Sequence, residues 1–135
     1  MTISYNTLGI ARITKIFRGA GGCAAKRVLV RGPQPNEAAN PAGANAGNLA
    51  GVSFDSAEDG KGVALSEYAY PEVEVAGPVA YGALLNVADA GGRAKTVNEA
   101  AGTRVTLVGV AEAAATAAGQ KIKVNLKRFG DEITV

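Results

Sequence analysis

Lys121-Ile122-Lys123-Val124-Asn125-Leu126-Lys127 alternates apolar and polar residues over seven positions, the period of a strand with one face buried and one in water. Outward from it the chain reads as β almost throughout. Leu49–Phe54, Val63–Tyr70 and Glu72–Ala76 are expected strands, the last two split by Pro71. Val79–Val87, Arg93–Val97, Arg104–Ala111 and Glu132–Val135 are further expected strands. Glu58-Asp59-Gly60-Lys61-Gly62 and Asp89-Ala90-Gly91-Gly92 carry turn chemistry between them. In Glu72-Val73-Glu74-Val75 the alternation sends both acids outward and both valines inward. Strands at this spacing predict an all-β sandwich or barrel. The exception is Ala111–Ala118, AEAAATAA before Gly119, where propensity favours a two-turn helix and shortness favours a small-residue connection.

The alternating strand has an echo upstream. Gly51-Val52-Ser53 leads through Gly60 to Val63 and Leu65, then to Val73 and Val75. Gly109-Val110-Ala111 leads through Gly119 to Ile122 and Val124, then to Ile133 and Val135. The reading is a repeated strand–turn–strand unit, 49–76 and 107–135, whose copies bury each other's open face. Both lie in a single β domain expected over 26–135.

Alanine and glycine make up 45 of the 135 residues, and Val, Leu, Ile and Phe only 31. That is just above the level at which disorder becomes the default, so one domain with a lean core is expected. There is no histidine, which removes imidazole-based zinc sites and His-dependent acid–base or triad chemistry. The single Cys23 permits no internal disulfide and no thiolate cage. Cys23 neighbours Arg18, Lys26 and Arg27, but with no histidine to act with it a bystander thiol is expected. No P-loop occurs, and Gly19-x-Gly21-x-x-Ala24 leads into a strand rather than the helix a dinucleotide fingerprint needs. The carboxylate pairs Glu72/Glu74, Glu58/Asp59 and Asp131/Glu132 read as solvated charge. No enzyme, cofactor or metal is therefore expected. Neither a membrane span nor a secretory leader is legible, and a soluble protein made in a reducing cytoplasm is expected.

Charge is uneven. Residues 1–31 hold six bases, Arg12, Lys15, Arg18, Lys26, Arg27 and Arg31, and no acid; the remainder is net acidic. With Gly19-Ala20-Gly21-Gly22 as a hinge, residues 1–25 read as an extended basic N-terminal arm or irregular edge strand. Solvated strand faces, an acidic protein partner and nucleic acid are the readings of that charge. Nucleic acid is disfavoured because Ile10, Ile13, Ile16 and Phe17 interleave with the bases, without stacking aromatics. Residues 32–48, with three prolines and three glycines, read as a long contact loop.

From Lys26 to Val135 the chain resembles the cement, or head decoration, proteins of tailed bacteriophages. The residues that carry this are Gly51-Val52-Ser53 before Asp59-Gly60-Lys61-Gly62, the run EVAGPVAYGALL of 74–85, DAGGRA of 89–94 and VGVAEAAATAAGQKIKV of 108–124. The resemblance implies a jelly-roll or tulip-like β-barrel or sandwich. It further implies a homo-oligomer, with a dimer favoured over a trimer, on the outside of the virion. The implied partner is the major capsid protein, and no membrane is involved. Capsid contacts are then expected from Arg12, Ile13, Lys15, Ile16, Phe17 and Arg18 in the arm, and from Pro35, Asn40 and Asn45 in the loop. The alternative is a β-barrel fibre, tail or adhesion-type binding module.

Overall fold

The computed structural model describes residues 2–5 and 11–135, with side chains from residue 13 onward. Thirteen strands follow in order: β1 Thr2–Tyr5, β2 Ala11–Phe17, β3 Val28–Arg31, β4 Glu37–Ala39, β5 Leu49–Ser53, β6 Gly62–Ser66, β7 Glu72–Glu74, β8 Leu84–Val87, β9 Ala94–Thr96, β10 Arg104–Thr106, β11 Gly109–Ala111, β12 Lys121–Asn125 and β13 Glu132–Thr134. The helical content of the described residues is one 3₁₀ turn, Leu126–Arg128. The all-β expectation is met.

Strands β2-β4-β3-β5-β6 form a sheet that closes on itself, because β2 pairs with β4 on one side and β6 on the other. Phe17, Cys23, Leu29, Ala38, Ala50, Val63 and Leu65 fill this first barrel. A second five-stranded sheet runs β7-β12-β11-β8-β9, and its edges return to each other through a parallel bridge between Val75 and Ala94. Its core holds Val75, Val79, Leu85, Ala94, Val108, Ile122 and Val124.

Strand for strand, the two barrels share order and register. Leu29 faces Gly51 in the first, and Leu85 faces Gly109 in the second. Ser53 faces Leu65, and Ala111 faces Val124. Lys15 faces Val63, and Val73 faces Ile122. Arg31 faces Ala38, and Val87 faces Ala94. Cys23 bridges Ala57, and Val79 bridges Ala115. Gly51 and Gly109 are both required by crowding: a Cβ would press on Leu65 and Ser66 at the first and on Val124 and Asn125 at the second. The counterpart of Val73 and Val75 is thus Lys15 and Phe17, at the start of the first barrel. Residues 132–134 instead form a separate ribbon with β10.

Several expectations change. Ala11–Phe17 is no arm but a wall of the first barrel, paired with β1, β4 and β6, with Ile13 and Phe17 buried. Ile10 lies outside the described residues. Residues 32–48 are not structureless, since Glu37–Ala39 bonds to both β2 and β3. Ala111–Ala118 is the small-residue connection, not a helix. Its Ala115 N–H and C=O go to Val79, a pairing that outweighs what a short isolated helix gains. The expected strand Arg104–Ala111 breaks at Leu107-Val108, where Leu107 N–H turns to Asp131 O and Val108 N–H to Leu85 O.

The barrels meet along a shared core, where Val28, Leu49 and Val52 of the first pack into the cluster of the second.

Candidate interaction surface

The six early bases do not form one free patch. Arg18 Nε bonds Glu37 Oε2 at 2.6 Å, with half of the Arg18 side chain in solvent. Arg27 lies between the barrels, its guanidinium 3.1 Å from Glu74 Oε2 and donating to Gly91 O at 2.9 Å. Lys26 Nζ stands 5.6 Å from the Phe54 ring centroid, a cation–π distance. The charge asymmetry of the sequence is thus partly cancelled in space, because the fold brings acids of the body to bases of the first strands.

The expected contact residues divide accordingly. Ile13 and Phe17 are withdrawn into the core and present nothing to a partner. The side chain of Arg12 lies outside the described residues. Lys15 and Ile16 are half-exposed, and Arg18 and Pro35 are exposed. Asn40 is engaged internally, donating to Gly22 O at 3.1 Å. Asn45 is engaged more heavily. Its N–H bonds Val87 O, its Nδ2 bonds Arg104 O, and its Oδ1 accepts from Asn86 Nδ2 at 3.2 Å. Loop 41–48 is therefore a clamp on the second barrel.

That clamp continues into a polar chain that the sequence did not announce. Asn86 is fully buried and also donates to Glu99 Oε2 at 3.0 Å, where Lys95 Nζ arrives at 2.9 Å. Burial pushes the Glu99 carboxyl pKa upward, but hydrogen bonds from Lys95, Asn86 and the Asn98 N–H outweigh it and hold the group below its ordinary value. Cys23 goes the other way. Burial raises its thiol pKa against the weaker pull of the Ala57 backbone, so the protonated, unreactive form is favoured.

Two features face outward. An open groove of about 560 Å³ lies between the first barrel and the C-terminal ribbon, lined by Arg31, Asn48, Glu67, Thr106, Phe129 and Glu132 among others. It mixes both charges with little apolar surface, which suits a polar contact. Among the described residues no group of three or more Cys, Asp or Glu converges as metal ligands, and no helix is long and apolar enough to cross a membrane. The second feature is aromatic. Tyr68 and Tyr70 in the inter-barrel linker are about half exposed, and Tyr81 beside β8 is 71% exposed. Large exposed aromatics are the side chains that most often anchor protein interfaces. Glycine and alanine flank Tyr81, so nothing in the local sequence pattern distinguished it.

No family model matches the chain. No curated protein matches it either. Among solved structures, the chain is similar to the N base of the head fiber gp8.5 of bacteriophage phi29, with a TM-score of 0.65 and 18% identity. The alignment covers 88% of this chain and 95% of that one. At that identity the likeness is one of fold.

Proposed function

We propose that this chain is a structural protein of a tailed-phage head: a cement or decoration protein that binds the outer surface of the major capsid protein lattice and stabilises it. The observation that carries the reading is the fold likeness to a phage head-fibre base over nearly the whole of both chains. The residues agree with it. There is no histidine, the single cysteine is a buried thiol, and the outward features are a polar groove and exposed tyrosines, which suit binding rather than turnover. On this reading the protein is no enzyme and needs no cofactor. It is made in the host bacterial cytoplasm and resides on the capsid exterior as a homo-oligomer, with a dimer favoured. Of the proposed capsid contacts, Lys15, Ile16, Arg18 and Pro35 retain exposed surface.

A second reading, the base of a head fibre, is favoured by the identity of the structural neighbour itself. Purified protein mixed with phage heads assembled without it separates the two from a non-head role. Decoration predicts co-sedimentation that saturates the lattice and raises the melting temperature of the heads, since a ligand of the folded lattice stabilises it. A fibre base predicts binding at a sparse subset of positions. No co-sedimentation overturns both.

A further inference from the structure

Because the two barrels share register, each position of one can be compared with its counterpart in the other. Arg31 of the first takes the place of Val87 in the second, and each faces an alanine on the neighbouring strand. Ser66 and Asn125 hold matching places opposite Val52 and Val110, so the residues that follow them, Glu67 and Leu126, correspond. In the second barrel these places are apolar and sealed, with Val87 at 0% and Leu126 at 2% exposure. In the first they carry a guanidinium and a carboxylate, and both line the open groove of about 560 Å³.

The polar groups of that groove are not used inside the molecule. Among the described side chains, Arg31 is the one arginine without an ion pair. Glu67 shares the groove with it, yet the two are held too far apart to pair. Thr106, on the ribbon side, is only 8% exposed, and its hydroxyl has no hydrogen-bond partner among the described residues. A hydroxyl so buried costs free energy until something enters to bond it. Asn48 is exposed beside them, and the ring of Phe129 is half-buried.

We infer that this groove is a binding site for a neutral carbohydrate. Sugar hydroxyls both donate and accept, so one ligand can engage the Arg31 guanidinium, the Asn48 carboxamide, the Glu67 carboxylate and the Thr106 hydroxyl together. The C–H face of a sugar ring supplies the apolar contact that Phe129 offers, the usual pairing of a few polar groups with an aromatic wall. Charge selects for neutrality. Arg31 and Glu67 cancel, and Glu132 is already paired with Arg104 at 3.5 Å. A polyanion such as nucleic acid would meet two carboxylates. An extended peptide would need open main-chain groups, and Arg31 N–H is taken by Asn48 O and Gly130 N–H by Leu107 O.

The carbohydrate site is independent of the role proposed at the phage head. Its test applies the whole chain to an array of immobilised oligosaccharides. Neutral ones are built from hexoses, deoxyhexoses and N-acetylhexosamines, and acidic ones carry uronate or sulfate. Calorimetric titration of the retained sugar then compares wild type with Arg31→Ala, Glu67→Ala and Thr106→Val. Wild type should retain a neutral sugar, and each variant should bind it about tenfold or more weakly. Melting of Arg31→Ala and Glu67→Ala should stay within about 2 °C of wild type, because neither side chain has a partner to lose. Retention of no neutral sugar overturns the inference. Retention of acidic sugars alone also overturns it, in favour of an anion held by Arg31. A neutral sugar bound equally by wild type and all three variants overturns the groove as its place.

Discussion

Val28 N–H donates to Gly92 O at 2.7 Å, so a strand of the first barrel completes a seam of the second. In the first barrel the corresponding carbonyl, Asn36 O, is taken by Ile16 N–H of its own barrel. In the second, Glu74 N–H, the counterpart of Ile16 N–H, turns instead to Lys26 O. One bond of the seam has been exchanged for two across the interface, and the barrels are joined by ladder bonds as well as by side chains. Asn36 and Gly92 both hold positive φ, +68° and +80°, at this point.

Gly92→Ala should therefore cost roughly 2–4 kcal/mol, the left-handed backbone and the lost hydrogen bond together. Its Cβ would collide with Val28 O. Gly77→Ala, where a Cβ meets nothing within 4 Å, should fall within about 0.5 kcal/mol of wild type. Urea unfolding of the two variants checks the contrast. Equal stability would mean that the inter-barrel bond does not form.

Arg27 and Glu74 form a largely buried pair, their side chains 21% and 15% exposed, across the same interface. Arg27→Met leaves Glu74 with Lys121 at 3.9 Å as its remaining ion partner and should destabilise by about 1–3 kcal/mol. Arg27→Met combined with Glu74→Gln should lose less than the sum of the single changes. Additive losses in that double-mutant cycle would show that the pair contributes nothing.

Glu99 is held below its ordinary pKa by Lys95, Asn86 and the Asn98 N–H, against the opposing effect of burial. A carboxyl depressed in the folded state adds stability that is fully present above its unfolded pKa and is lost as pH falls through the folded value. Thermal unfolding from neutral pH into the acid range should show that decline. Glu99→Gln should lower the melting temperature at neutral pH and flatten the acid limb. An unchanged acid limb would contradict the role of the network.

Ala69, in the linker between barrels, sits at φ +77° with its carbonyl accepting from Leu126 N–H at 3.0 Å. Ala69→Gly should raise stability by about 0.5–1 kcal/mol, because relief of the left-handed strain exceeds the added freedom of the unfolded chain. A lower melting temperature would show that the linker is not strained.

How far these features were legible depended on whether side-chain pattern or backbone pairing decided them. The Lys121–Asn125 strand and the Gly51/Gly109 hairpins announced themselves, because strict alternation and crowded glycines leave marks in sequence. The wall formed by Ala11–Phe17 did not. Ile13 and Phe17 point inward, yet the adjoining Ile16 and the bases blur the period. Its match to β7 was invisible as well, since Ile16 and Phe17 correspond to Glu74 and Val75 and only the pairing relates them. Strand Glu37–Ala39 was hidden among prolines and glycines, held by Arg18 N–H and Gly32 N–H, which donate to Ala38 O and Glu37 O. The clamp from Asn45 through Asn86 to Glu99 joins residues 41 and 13 positions apart, and no local spacing encodes it.

Whether this two-barrel protein coats a phage head, as proposed, is decided by cryo-electron microscopy of heads incubated with purified protein. Decoration predicts density for both barrels at every equivalent position of the outer capsid lattice. Heads left bare, or carrying density only at the tail or at one vertex, would contradict it.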